Sequence, residues 1–119
     1  MIKVQNPKQY DLEERTLRFA QSIKNFVKTV PRTLSNIEYM KQLIRSSGSV
    51  GANYIEANEA LSKKDFILRL KISRKEARES RYWLKLLDVN DELNSEKNRQ
   101  DLINESIELM KIFGSIVSK

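Results

Sequence analysis

Apolar residues recur every three or four positions in four separate runs along the chain, the spacing of helices with one buried face, and no stretch alternates as a strand would. The first run, about residues 11–30, carries Leu12, Phe19, Ile23, Phe26, Val27 and Val30; Asp11 with Glu14 is placed to cap its start, and Pro31 ends it. In the second, about 36–60, Ser35 with Glu38 repeats the capping pattern ahead of Ile37, Met40, Leu43, Ile44, Ser47, Gly51, Tyr54, Ile55 and Asn58. Ser62 with Asp65 opens the third, about 63–89, whose stripe is Phe66, Leu70, Ser73, Ala77, Ser80, Leu84 and Leu87. The fourth, about 96–117, follows the polar stretch Asn90 to Asn94, starts at Ser95, and aligns Leu102, Ile103, Ile107, Met110, Phe113 and Val117. Four amphipathic helices with short connections predict an all-α, up-down-up-down antiparallel four-helix bundle filling residues 1–119 as a single domain.

The connection around Leu61 is short enough to make the second and third helices an antiparallel hairpin. Positions equidistant from Ser62 then lie side by side, which sets Gly51 against Ser73, Ser47 against Ala77 and Ile44 against Ser80. Small residues meet small residues, so Ser47, Gly48 and Gly51 read as a close-packing seam; Leu at Gly51 should overpack it, whereas Ala should improve the helix. A phosphate-cradling role for Gly48 to Gly51 is disfavoured, because no strand precedes them and helical periodicity runs through them.

Composition removes most chemistry. At 119 residues the chain is one domain by length; with 39% hydrophobic and 32% charged residues, 3 Gly and 2 Pro it belongs with helical globular proteins. Cys and His are both absent, which excludes disulfides, zinc fingers and His-relayed nucleophiles, so no cofactor, metal site or catalytic residue is expected. The opening residues, Met1 to Tyr10, contain no apolar run suited to a signal peptide, and no segment approaches the length of a spanning helix, so a cytoplasmic protein without membrane contact is expected. The one enzyme-like feature is a pair of Glu-x-x-Glu motifs, Glu56 with Glu59 and Glu76 with Glu79, a pattern that clamps magnesium in all-α pyrophosphohydrolases. With the turn at Ser62, Glu59 and Glu76 are offset by on the order of 15 Å along the axis. Salt bridges to Arg45, Lys75 and Arg78 are the better reading.

Charge sharpens the picture. The net charge is +6, and it is unevenly placed: residues 62–89 hold 9 Lys and Arg against 4 acids, and residues 1–34 hold 7 against 3, while residues 90–119 hold 4 against 6. On the third helix Lys64, Lys71, Arg74, Arg78, Arg81 and Lys85 recur at helical spacing beside the apolar face, a candidate track for the phosphates of a nucleic acid. The same helix carries Leu68, Ile72, Tyr82, Trp83 and Leu86 off its main stripe, more apolar surface than a lone bundle needs. Burial between identical subunits is the expected destination of Ile72, Trp83 and Leu86, with Gln42, Ser46, Ser49 and Asn53 on the outward side of the second helix completing the contact. Base stacking by Trp83 ranks lower, because Glu76 and Glu79 share its flank.

The stretch from Tyr10 to Thr16, then Phe19-Ala20, Leu43-Ile44-Arg45-Ser46, Ala52-Asn53-Tyr54-Ile55-Glu56-Ala57, Lys75-Glu76-Ala77-Arg78-Glu79 and Tyr82-Trp83-Leu84 resemble the four-helix-bundle family of 23S rRNA intervening-sequence proteins. The resemblance is specific over residues 10 to about 87 and extends to the last helix only in character. It implies a small bacterial helical bundle assembled as a ring of identical subunits, five in number, with no established reaction to carry over. A similarity of architecture alone extends to accessory proteins that help reverse transcriptases of diversity-generating elements handle RNA. The reading that follows is a non-enzymatic homo-oligomeric scaffold that binds nucleic acid, with RNA favoured; the alternative is a protein-interaction ring that docks a separate enzyme.

Overall fold

The computed structural model describes residues 7–89 and 94–119, and the side chains from Leu12 onward. Within these residues the chain forms four α-helices, α1 (Pro7–Val27), α2 (Leu34–Asn58), α3 (Lys63–Leu86) and α4 (Ser95–Val117), and no strand. They pack as a helical bundle about 50 Å long and 22 to 23 Å across. Contacts join α1 to α2, α2 to α3, α3 to α4 and, most sparsely, α1 to α4, and the Tyr54 and Phe113 rings, centroids 5.8 Å apart, meet across the core between α2 and α4.

Local chemistry accounts for the helix ends, including those misplaced from sequence. α1 begins at Pro7, a turn before Asp11; Pro suits a first helical position, where the missing N–H would have no partner anyway. Asp11 is therefore no N-cap, and its side chain lies outside the described ones. α1 stops at Val27, three residues short of Val30, in a turn where the Thr29 hydroxyl donates to the Phe26 carbonyl at 2.7 Å. The N-cap of α2 is Thr33, whose hydroxyl accepts from the Asn36 amide at 3.2 Å, so Ser35 lies inside the first turn. Ser62 caps α3 as its spacing indicates, its hydroxyl accepting from the Asp65 amide at 3.1 Å. Asn94 precedes α4 without a side-chain capping bond; residues 90–93 of the expected polar connection lie outside the described residues.

The core takes every apolar residue assigned to the first stripe, and in α3 Leu70, Ser73, Ala77, Ser80, Leu84 and Leu87. In α2 the buried face is turned toward α3 relative to the stripe read from sequence. Ile44 and Ile55 are 49% and 51% exposed, and Ser46, Val50 and Ala57 are buried in their place. The reason is the closeness of the hairpin. Ser46 and Ser80 share a hydrogen bond at 2.8 Å, and Ser73 donates to the Val50 carbonyl at 2.9 Å. These pairs confirm the antiparallel hairpin and its register within about two residues, but Ser80 meets Ser46 rather than Ile44. Each buried hydroxyl has a partner, as a low-dielectric interior requires. α4 likewise buries Ser106 and Leu109 in addition to Leu102, Ile103 and Phe113.

Two polar side chains, Asn36 and the half-buried Arg99, tie the hairpin to its neighbours. Asn36, fully buried, donates through Nδ2 to the Pro31 carbonyl at 2.8 Å and the Asp88 carbonyl at 2.9 Å, and accepts from the Asp88 amide at 3.0 Å. It clasps the α1–α2 connection to the C-terminal end of α3. Arg99 of α4 reaches the same end and donates to the Leu87 carbonyl, placing a cation at the negative end of the α3 dipole. Asn36→Ala should strand these groups and destabilise the fold by about 1–3 kcal/mol for each one left without a partner, read as a fall in the urea midpoint.

Gly51 faces α1, not Ser73. A Cβ there would sit 2.8 Å from Thr16 Oγ1 and 3.1 Å from Thr16 Cβ, and Thr16 is itself fixed by donating to the Leu12 carbonyl at 2.8 Å. Ala is thus too large at 51, contrary to the sequence-based expectation, while an added Cβ at Gly48 would meet nothing within 4 Å. Gly51→Ala should destabilise by about 1–3 kcal/mol, Gly48→Ala should stabilise by about 0.5–1 kcal/mol, and Thr16→Ala should recover part of the Gly51→Ala loss in a double-mutant cycle. Equal effects of Ala at Gly48 and Gly51 in denaturant melts would contradict this packing.

Candidate nucleic-acid interface

Helix α3 holds nine of the chain's Lys and Arg, and among the described residues none of the nine forms an ion pair. The contrast with the other helices is sharp. In α4, Lys97 pairs with Asp101 at 3.0 Å, Arg99 with Glu96, and Lys111 with Glu108 at 3.5 Å. In α1, Arg15 grips Glu105 of α4 through Nε and Nη2 at 2.7 and 2.9 Å. In α2, Lys41 pairs with Glu38.

The cause lies in where the acids of α3 point. Glu76 and Glu79 lie on the flank facing α2, where Arg45 reaches both, at 3.2 and 3.3 Å. Glu76 is 6% exposed and needs that partner, since an unpaired buried carboxylate is expensive. The α2 cation thereby occupies the two acids nearest Lys75 and Arg78, which, named from sequence as possible partners of those acids, form no ion pair among the described residues. Arg69 turns toward α2 as well, donating to Asn53 Oδ1 at 3.0 Å.

The sequence-assigned track divides by burial. Lys64, Lys71, Arg78 and Lys85 are exposed. Arg74 and Arg81 are half-buried, on the side toward α4: an added Cβ at Gly114 would lie 3.5 Å from Arg74 Nη1, so this glycine leaves room for the arginine, and Arg81 Nε is buried without a partner. The outer edge of the basic face is therefore Lys64, Lys71, Lys75, Arg78 and Lys85, with Lys75 an addition to the residues assigned from sequence.

The residues assigned to a subunit contact are not equally available. Ser46 is buried in the α2–α3 seam with its hydroxyl on Ser80, so it belongs to the interior and cannot meet a partner. Ser49 and Asn53 are half-buried and bonded to each other, Asn53 Nδ2 donating to Ser49 Oγ at 3.0 Å, and Gln42 is exposed. Ile72, Trp83 and Leu86 are half-buried. Trp83 stacks on Tyr39 of α2, ring centroids 6.0 Å apart and planes 28° apart, so part of its surface is satisfied within the subunit. Beside it Leu68 is 53% exposed and Tyr82 58% exposed. The α2–α3 outer surface thus keeps an apolar strip next to the basic edge.

Elsewhere the chemistry is unpromising for a reaction. A groove of about 530 Å³ between α1 and α4 is lined by charges of both signs, among them Arg18 and Asp101, above the Arg15–Glu105 bridge. Among the described residues no three acidic side chains gather where they could hold a metal ion. Burial in the core raises the Tyr54 phenol above the ordinary tyrosine range, a hydrogen bond with Asn58 countering this in part and the Glu13 carboxylate adding to it. No helix among the described residues is long and apolar enough to cross a membrane.

Comparison with known proteins agrees with this architecture. No curated protein matches the chain. A crystal structure of a protein with unknown function from the S23 ribosomal protein family of Bacteroides thetaiotaomicron VPI-5482 is similar at 32% identity and a TM-score of 0.78, over 94% of this chain and 99% of that one. The family model of the 23S rRNA-intervening sequence protein matches residues 8–115, a span that reaches into all four helices, and the chain belongs to that family.

Proposed function

We propose that this protein is an up-down-up-down bundle that assembles into a homo-oligomeric ring, without enzymatic activity, and binds RNA in the cytoplasm through the basic face of α3. The observation that carries the reading is the uncompensated charge of that helix: nine Lys and Arg without an ion pair among the described residues, beside a fourth helix whose Lys97, Arg99 and Lys111 are all paired. Free cations along one helix edge release counterions from a polyanion, and RNA is the polyanion that the family's name suggests. The apolar strip of Leu68, Ile72 and Leu86 supports assembly, since a single subunit leaves Leu68 exposed and covers Ile72 and Leu86 only in part.

Phosphate contacts of this kind carry little sequence information, so affinity should fall steeply with salt and vary little among RNA sequences. In fluorescence anisotropy with labelled RNA, replacing Arg78 and Lys85 together by Gln should lower the log-log salt slope by about 1.4–1.8 per subunit engaged. Replacing Lys97 and Lys111 should leave it unchanged. A silent Arg78/Lys85 pair would favour the second reading, a ring whose apolar strip docks another protein.

Light scattering at micromolar concentration should report a multiple of 14.0 kDa. Ile72→Glu with Leu86→Glu should shift it toward one subunit. A monomeric wild type removes the ring.

A further inference from the structure

We infer that the RNA contacted by α3 is unpaired, and that Tyr82 is the residue on which one of its bases stacks. The inference rests on the reading of the basic face as an RNA contact and adds to it the form of the nucleic acid and the group that recognises it.

Tyr82 lies in the basic row itself. Lys64, Leu68, Lys71, Lys75, Arg78, Tyr82 and Lys85 follow one another at intervals of three and four residues, which places them along one edge of α3. Tyr82 therefore has a cation one turn to either side, Arg78 before it and Lys85 after it, each about 4.5–6 Å away along the axis. All the members of this row but Tyr82 and Leu68 are cationic, and none of those cations has an ion pair among the described residues. Glu79, one turn before Tyr82 on the side toward α2, is paired with Arg45 at 3.3 Å, which offsets its charge beside the row.

The ring is also held ready. Tyr82 meets Trp83 edge to face, centroids 5.2 Å apart and planes 68° apart, and Trp83 is in turn stacked on Tyr39. Such a T-shaped contact orients the tyrosine ring while leaving it 58% exposed. Trp83, the obvious stacking candidate by residue type, has its indole nitrogen buried and a face on Tyr39, so the exposed partner is the tyrosine. An oriented, exposed aromatic ring between cations that reach the flanking phosphates is the arrangement by which proteins hold single strands without reading sequence. A base inside a duplex is already stacked on its neighbours and cannot offer its face to such a ring.

The test compares a 12-nucleotide single-stranded RNA of mixed sequence with a blunt RNA duplex of the same length, by anisotropy at low salt, using assembled wild-type protein, Tyr82→Ala, Tyr82→Leu, Tyr82→Phe and the Arg78→Gln/Lys85→Gln double variant. Light scattering checks the assembly of each. Tyr82→Ala should weaken single-strand binding about 5- to 100-fold and duplex binding little, with the salt slope unchanged because no charge is lost. Tyr82→Leu keeps an apolar neighbour for Trp83 without a π face and should lose as much, while Tyr82→Phe should bind as wild type does. If Tyr82→Ala and Tyr82→Leu bind like wild type while the double variant weakens, the stacking role is overturned and the basic face stands. Equal losses on strand and duplex, or loss of assembly in both Tyr82→Ala and Tyr82→Leu, would also overturn it, the latter assigning Tyr82 to a subunit contact. A wild-type oligomer that binds neither RNA overturns both readings.

Discussion

The close approach of α2 and α3 is the constraint from which the other features follow. Where Ser46 meets Ser80 and Ser73 meets the backbone of Val50, no larger side chain fits between the helices. The hydroxyls are buried but partnered, so the seam gains from packing without a large desolvation penalty. Its register is specific, because sliding one helix along the other would break the Ser46–Ser80 pair and take Ser73 off the Val50 carbonyl. The same register brings Arg45 within reach of Glu76 and Glu79, and Asn36 onto the backbone at Asp88.

Charge segregation is a consequence of that register. A helix with nine basic residues and three acidic ones would usually pair its own charges across successive turns. Here two of its three acids face α2 and hold Arg45, while Lys64, Lys71, Lys75, Arg78 and Lys85 lie on the exposed edge. The electrostatic face of α3 is thus produced by a salt bridge made on its α2 side. α4 shows the contrary design, each of its Lys97, Arg99 and Lys111 neutralised by an acid three or four residues away. Two neighbouring helices of the same subunit therefore present very different potentials to a polyanion.

Much of this was legible in the sequence, and the exceptions have physical causes. The four helices, the Ser62 cap and the hairpin register could be read because capping and three-four periodicity are local signals. The face of α2 was read a fraction of a turn off: Ser46 and Ser47 are adjacent and equally small, and periodicity alone cannot choose which faces α3 when both are buried. The partner of Gly51 was likewise out of reach, because the Thr16 contact is set by how α1 lies on α2. The basic row is visible as spacing, but its lack of ion pairs among the described residues is not, since that depends on Arg45 reaching from another helix. From sequence Tyr82 reads as one of the apolar residues off the main stripe of α3, and only its exposure and its edge contact with Trp83 separate it from them.

Lysine footprinting reports directly on whether α3 is the face that meets RNA. Acetylation of the assembled protein, with and without single-stranded RNA, followed by mass spectrometry, reads each lysine separately, and Lys97 and Lys111 serve as controls because both are well exposed. Protection of Lys71, Lys75 and Lys85 by RNA, lost as salt is raised, with Lys97 and Lys111 unaffected, is the result predicted. Protection spread evenly over α3 and α4, or confined to α4, would contradict it.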